Sequence, residues 1–139
     1  MTELDDLGLR VPIAGVQLIE ASAGTGKTFT LATLYARLVL ETGLPVSSIL
    51  AVTFTEAATK ELRERLRGRL VLAQKLVDFH LACAARGEDE SPGAPSTDNE
   101  ETRLTRLLVD AAIAREGAAV VCRRLRLACE QMDLAPIHT

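Results

Sequence analysis

The sequence predicts an α/β fold that starts as a small parallel sheet and continues as a helical extension. Three observations carry this. A short apolar strand runs straight into a glycine-bearing turn and a helical pattern; a second apolar run precedes a long amphipathic helix; and the remainder, after a polar break, repeats leucines and alanines at helical spacing only. At 139 residues the chain has room for one domain or a piece of a larger one, and 47 % hydrophobic residues supply a packed core. Aromatics are scarce at 3 % and tryptophan is absent, so Leu, Val, Ile and Ala must build that core.

Val16–Ala21 reads as the first strand, approached through Pro12 and Gly15. A helix is expected from about Gly26 through Phe29, Leu31, Leu34, Leu38 and Leu40. It should stop at Gly43, a residue suited to the left-handed position past a helix end, with Pro45 beyond it. Ile49–Phe54 is a continuous apolar run, the pattern of a strand buried on both faces. Thr55 can cap the next helix with Glu56 in its first turn. That helix keeps Leu62, Leu66, Leu70, Ala73 and Val77 on one side, pairs Glu61 with Arg65 at i,i+4, and can persist to about Arg86.

Residues 87–99, GEDESPGAPSTDN, predict a mobile surface loop. Asp98 and Glu101 have capping-box spacing for a further helix carrying Leu104, Leu107, Leu108, Ala111 and Ala112. Gly117 should break it. A last helix then places Val121, Leu125, Ala128 and Met132 on one face. The expected organisation is an α/β segment over 1–86, an acidic flexible loop over 87–101 and a helical extension over 102–139, together an incomplete domain.

The formal charge is −3, but its distribution matters more than its sum. Removing Glu88, Asp89, Glu90, Asp98, Glu100 and Glu101 from that total leaves the rest of the chain at +3. Lys60, Arg63, Arg65, Arg67 and Arg69 gather positive charge into a local basic surface. For Lys60, Arg63 and Arg67, spaced on one helix face, a solvated surface is the preferred reading. Cys83, Cys122 and Cys129 form no CxxC pair and read as reduced thiols; Cys122 and Cys129, seven apart without a nearby His, make a poor metal site. The acidic start, Met1 to Asp6, is no targeting signal, and no uncharged stretch is long enough to span a bilayer. A soluble cytoplasmic protein is expected, with no membrane partner.

The chemistry lies in Ala21-Ser22-Ala23-Gly24-Thr25-Gly26-Lys27-Thr28. Strand, glycine turn, Gly-Lys-Thr and helix together form a phosphate-binding P-loop. Gly24 and Gly26 permit backbone angles closed to other residues and let successive N–H groups face phosphate oxygens. The helix N-terminus adds unpaired donors and a favourable dipole. Lys27 is a compact cation for the β- and γ-phosphates, and Thr28 offers its hydroxyl to Mg²⁺. The expected cofactors are therefore ATP and Mg²⁺. Ala21 stands where the usual pattern has glycine, and its small side chain still allows the turn.

The run Ala51-Val52-Thr53-Phe54-Thr55-Glu56-Ala57-Ala58-Thr59-Lys60-Glu61-Leu62-Arg63-Glu64-Arg65-Leu66 closely resembles motif Ia of UvrD/Rep-type superfamily 1 DNA helicases. Leu18 to Thr30 resembles the corresponding segment of the RecB-type exodeoxyribonuclease V beta subunits. Glu130-Gln131-Met132-Asp133 is similar to the approach to that family's next motif, so the likeness spans nearly the whole chain. The resemblance implies a RecA-like P-loop NTPase fold and ATP-driven unwinding of DNA ends in recombinational repair. The implied partners are single-stranded DNA and the other exodeoxyribonuclease V subunits. It also implies that Phe54 stacks on a base, with Thr53 and Thr55 near the phosphate backbone. Without the resemblance, Phe54 also reads as a core aromatic at a strand end.

The family's next motif holds a Thr-Ile-His-Gly-Phe-like turn that touches DNA; this sequence has Pro136-Ile137-His138-Thr139. His138 is either the matching DNA-contacting histidine or a frayed terminal residue. His80, inside the long helix, reads as a surface or packing residue. Hydrolysis in this class needs an acidic pair after a buried strand, and the one superficial candidate, Leu107-Leu108-Val109-Asp110, lies in a helical pattern and is rejected. Gln17 is too close to Lys27 to read adenine comfortably, and the second ATPase domain and nuclease domain of a RecB-like protein are missing. The expectation is an ATP-binding segment, catalytically incomplete by itself. Two rivals are a small P-loop kinase using Asp110 and a non-catalytic nucleotide-binding fragment that docks to a partner.

Overall fold

The computed structural model describes residues 8–20, 26–87 and 99–139. Helix α1 spans Lys27–Thr42, strand β1 Ala51–Val52, helix α2 Glu56–Arg86, helix α3 Glu100–Glu116, helix α4 Ala118–Gln131 and strand β2 Ile137–His138. Single 3₁₀ turns at Val46–Ser48 and Met132–Leu134 lead towards the two strands. The described residues are mostly helical, with one two-stranded parallel sheet pairing Ala51 with Ile137 and Val52 with His138.

The helix boundaries follow the sequence closely. Gly43 closes α1 at φ 71° and Gly87 closes α2 at φ 68°, both in the left-handed region that spares glycine a steric cost. Thr55 caps α2 by accepting from the Ala58 N–H at 3.1 Å. Leu62, Leu66, Leu70, Ala73 and Val77 are all buried along one side of α2, which packs against each of the other three helices. Val121, Leu125, Ala128 and Met132 are likewise buried. Glu61 and Arg65 form the expected pair at 3.6 Å, exposed on both sides.

Several expectations require correction. Val16–Glu20 is in no strand; Val16 and Leu18 are exposed, and nothing among the described residues pairs with them. A strand needs a partner ladder, which apolar sequence alone does not provide. The Ile49–Phe54 run is not a strand buried on both faces. Ile49 is buried and Ala51 half-buried, whereas Leu50, Val52 and Phe54 are exposed. With helices on one side of a two-stranded sheet, the run follows the period of two of a half-buried strand. Helix α3 is capped by Asn99, whose side chain accepts from the Thr102 N–H at 2.7 Å, rather than by Asp98. The acidic loop therefore ends before Glu100; residues 88–98 lie outside the described residues. Leu104, Leu108 and Ala112 are buried, but Leu107 and Ala111 face outward. The helical extension also ends in a strand, β2, that periodicity did not indicate.

The basic run is not a uniform solvated face either. Arg69 is buried, Arg67 pairs with Asp133, and Arg63 donates to the Ile137 carbonyl at 3.1 Å. No helix of the described residues is long and apolar enough to cross a membrane.

Candidate nucleotide and DNA interface

Two regions collect the residues singled out by the sequence. Of the phosphate loop, Ala21, Ser22, Ala23, Gly24 and Thr25 lie outside the described residues. Gly26 has φ 88°, a conformation that glycine adopts freely and a Cβ would strain. Helix α1 starts at the next residue, Lys27, which is exposed, with Thr28 half-buried behind it. Among the described residues no side chain caps this helix start, and no acidic residue lies in its first turn. A first turn that carries Lys27 and no acidic residue is electropositive, which fits an anion. Gln17 turns back on its own segment, its Nε2 donating to the Ala14 carbonyl at 3.0 Å.

The second region is the edge where β1 meets α2. The Thr53 N–H donates to the His138 carbonyl at 2.9 Å and the Ala51 N–H to the Pro136 carbonyl at 3.0 Å, extending the parallel ladder. His138 is consequently fixed by strand pairing, with its side chain exposed. The Thr53 hydroxyl reaches the Thr55 carbonyl at 3.1 Å and bonds the Thr59 hydroxyl, which lies 3.1 Å from that of Thr139. This network of threonines sets the turn at Phe54. Among the described residues nothing packs on the phenyl ring: Phe54 is 101 % exposed, so it is not a core aromatic.

Beside it, a cleft of about 350 Å³ is lined by Glu56, Thr59, Lys60, Arg63, Ile137, His138 and Thr139. Its walls hold the cations of Lys60 and Arg63, the hydroxyls of Thr59 and Thr139, and the Glu56 carboxylate. The run around Thr53, Phe54 and Thr55 and the stretch at His138, far apart in sequence, form one continuous edge. Thr59 and Arg63 were not identified from sequence as organisers of this edge. The signal available was their placement four residues apart, and four from Thr55, on the first turns of α2.

Other candidates do not join either region. Asp110 lies within α3, not after a buried strand, in agreement with its rejection as a metal-side acid. His80 sits half-buried in α2. Cys83, Cys122 and Cys129 are free thiols on helices, and burial pushes the Cys122 and Cys129 thiols above their ordinary range. Among the described residues no cluster of His, Cys, Asp or Glu could hold a metal ion.

Comparison with known proteins matches residues 9–120 to the UvrD/REP helicase N-terminal domain. RecBCD enzyme subunit RecB of Haemophilus influenzae is 41 % identical over 139 residues, covering 94 % of this chain and 10 % of that protein. RecB of Escherichia coli is 41 % identical over 140 residues with the same coverage. RecB of Mycobacterium tuberculosis is 54 % identical over 56 residues, covering 40 % of this chain and 5 % of the relative. The chain thus spans about a tenth of the length of the two relatives that cover nearly all of it. A match over most of its residues, and an identity of this level along almost its full length, mean that the chain belongs to the UvrD/REP helicase N-terminal domain family, as a RecB-like segment.

Proposed function

We propose that this chain carries the ATP loop and one DNA-contacting edge of an ATP-driven DNA motor. In this reading Lys27, Thr28 and the backbone of Ala21–Gly26 hold ATP with Mg²⁺, Lys27 neutralising the terminal phosphates and Thr28 meeting the metal. The start of α1 supports it, because no described side chain caps it and no acidic residue lies in its first turn, so an anion there meets helix-end donors and a favourable dipole. A single DNA strand lies along the β1–α2 edge, with a base on Phe54, phosphates near Thr53 and Thr55, and His138 beside them. The observation that carries the proposal is the full exposure of Phe54 on a turn held rigidly by the threonine network and by β2. A large aromatic left in solvent on a fixed turn is suited to stacking on unpaired bases. The names of the relatives place RecB in a RecBCD enzyme, and we extend to this chain a role in unwinding DNA ends during recombinational repair, with companion subunits of that enzyme.

Binding of a fluorescent oligothymidylate to the purified chain, measured at several salt concentrations, tests the DNA edge. The expected result is an affinity that falls with salt and drops on Phe54→Ala. Equal binding by Phe54→Ala would sink the stacking role. A fluorescent ATP analogue with Mg²⁺ tests the loop, with Lys27→Ala expected to abolish binding.

A second reading, a segment that holds nucleotide and acts by docking rather than by turnover, is favoured by an apolar groove of about 310 Å³. Its walls include Leu31, Leu50 and Val52, all exposed. Asp110 lying inside a helix supports the absence of hydrolysis by this segment. Steady ATP hydrolysis by the chain, lost in Lys27→Ala, would exclude that reading.

A further inference from the structure

Arg69 is 2 % exposed, a fully buried guanidinium in the middle of α2. Its Nη1 donates to the Thr33 hydroxyl at 2.9 Å, and its Nε donates to a Glu101 carboxylate oxygen at 3.4 Å. Its guanidinium carbon sits 4.6 Å from the centre of the Phe29 ring. Three helices therefore meet on one cation: α1 through Phe29 and Thr33, α2 through Arg69 itself, and α3 through Glu101.

The chemistry of this junction is directional. The Thr33 hydroxyl has one proton, which it donates to the Phe29 carbonyl at 3.1 Å. Towards Arg69 it can only accept, and a guanidinium can only donate. Phe29 is engaged twice, by its ring against the guanidinium and by its carbonyl through Thr33. Phe29 is also the residue immediately after Thr28. A charge buried this deeply costs several kcal/mol unless it is paired and hydrogen-bonded, and an apolar side chain of similar size would often fill such a place at no loss of stability. Stability alone is thus a poor account of why a cation is here.

We propose that Arg69 is a positioning residue for the start of α1, where Lys27 and Thr28 stand. It fixes the rotation and depth of the first turns of α1, and thereby the directions from which Lys27 and Thr28 meet a nucleotide. The inference rests on the ATP-binding reading and adds to it a residue far outside the phosphate-loop motif. By its place on α2, Arg69 also joins the start of α1 to the helix whose first residues hold the Phe54 turn.

The test measures affinity for a fluorescent ATP analogue with Mg²⁺, alongside thermal melting without nucleotide, for the whole 139-residue chain. Arg69→Met, close in volume, should melt near the unaltered protein yet bind nucleotide about tenfold more weakly, the loss usual for residues that support a ligand-holding group. Arg69→Lys, keeping charge but unable to span Thr33 and Glu101 together, should fall between. Thr33→Val, which removes the hydroxyl that accepts from Arg69 and donates to the Phe29 carbonyl, should weaken binding in the same direction and decides the matter if Arg69→Met does not fold. Wild-type affinity in a folded Arg69→Met, or in Thr33→Val where Arg69→Met fails to fold, overturns the proposal while leaving the ATP reading intact. Failure of the unaltered chain to bind the analogue overturns both.

Discussion

The guanidinium of Arg63 donates to the carbonyl oxygen of Ile137 at 3.1 Å, so a residue on the second turn of α2 holds the strand that presents His138. Arg67, one turn further on, pairs with Asp133 and secures the approach to the same strand. Two members of what reads as a surface charge run are therefore structural clamps.

Arg63→Ala should cost about 1.5–3 kcal/mol, the range for a hydrogen bond made by a charged group. Chemical denaturation measures it. Arg67→Ala, whose pair is largely solvent-exposed, should cost at most about 1 kcal/mol. Equal losses would mean that the carbonyl contact has no special weight.

The start of α2 depends on Thr55, whose side chain satisfies the Ala58 N–H. Thr55→Ala should destabilise the chain by about 1 kcal/mol and Thr55→Asp by much less, since aspartate caps as well. The comparison of denaturation midpoints checks this.

Two glycines should respond in opposite directions to the same change. Gly117 sits at φ 87°, ψ 152° between α3 and α4, a region essentially closed to side chains. Gly117→Ala should cost about 1–3 kcal/mol. Gly68 is inside α2, and an added Cβ there meets nothing within 4 Å, so Gly68→Ala should stabilise by about 0.5–1 kcal/mol. Melting temperatures of the two variants read out the contrast.

Tyr35 is buried, its hydroxyl has no hydrogen-bond partner among the described residues, and burial pushes its pKa up from 10.0 to about 12, against a smaller opposing pull from Arg63. The neutral phenol is favoured in the folded chain. Above pH 10 the unfolded state loses this proton first, so stability falls as pH rises from about 10 towards 12. Tyr35→Phe should leave stability at pH 7 unchanged or raised by up to about 1 kcal/mol and should flatten the alkaline fall. An unaltered alkaline limb in Tyr35→Phe would assign that fall to other groups.

On the proposed DNA reading, Lys60 contributes a single exposed cation to the cleft beside Phe54 and His138. Lys60→Gln should weaken oligothymidylate binding and reduce the slope of log affinity against log salt by about 1. An unchanged slope would place Lys60 away from the strand.

Helices were the most legible part of the sequence, for a local reason. Leu62 to Val77 repeat at helical spacing, Thr55 can cap, and Gly43 and Gly87 can turn left-handed, all without reference to the rest of the fold. Strands depend on distant partners, and here legibility failed. Val16–Glu20 carries an apolar pattern but finds no ladder among the described residues, whereas β2, only two residues long, has no pattern to read and is created by pairing with β1. Charge misled in the same way: Arg69 belongs to a run that reads as surface, whereas Thr33, Phe29 and Glu101 converge on it from other helices. The resemblance supplied Phe54 and His138 as a pair, but their shared edge depends on the threonine network and Arg63, which no motif spells out.

The parallel pairing of β1 with β2 also has a kinetic consequence. The clamp that seals it joins residues 74 apart in sequence, so closing that loop forfeits much chain entropy before any contact repays it. The helices are built from local bonds and can assemble ahead of this closure. Phe54 and His138 should therefore become neighbours late in folding, after α2 has formed, and a chain stalled before that step would hold its helices without the β1–β2 edge.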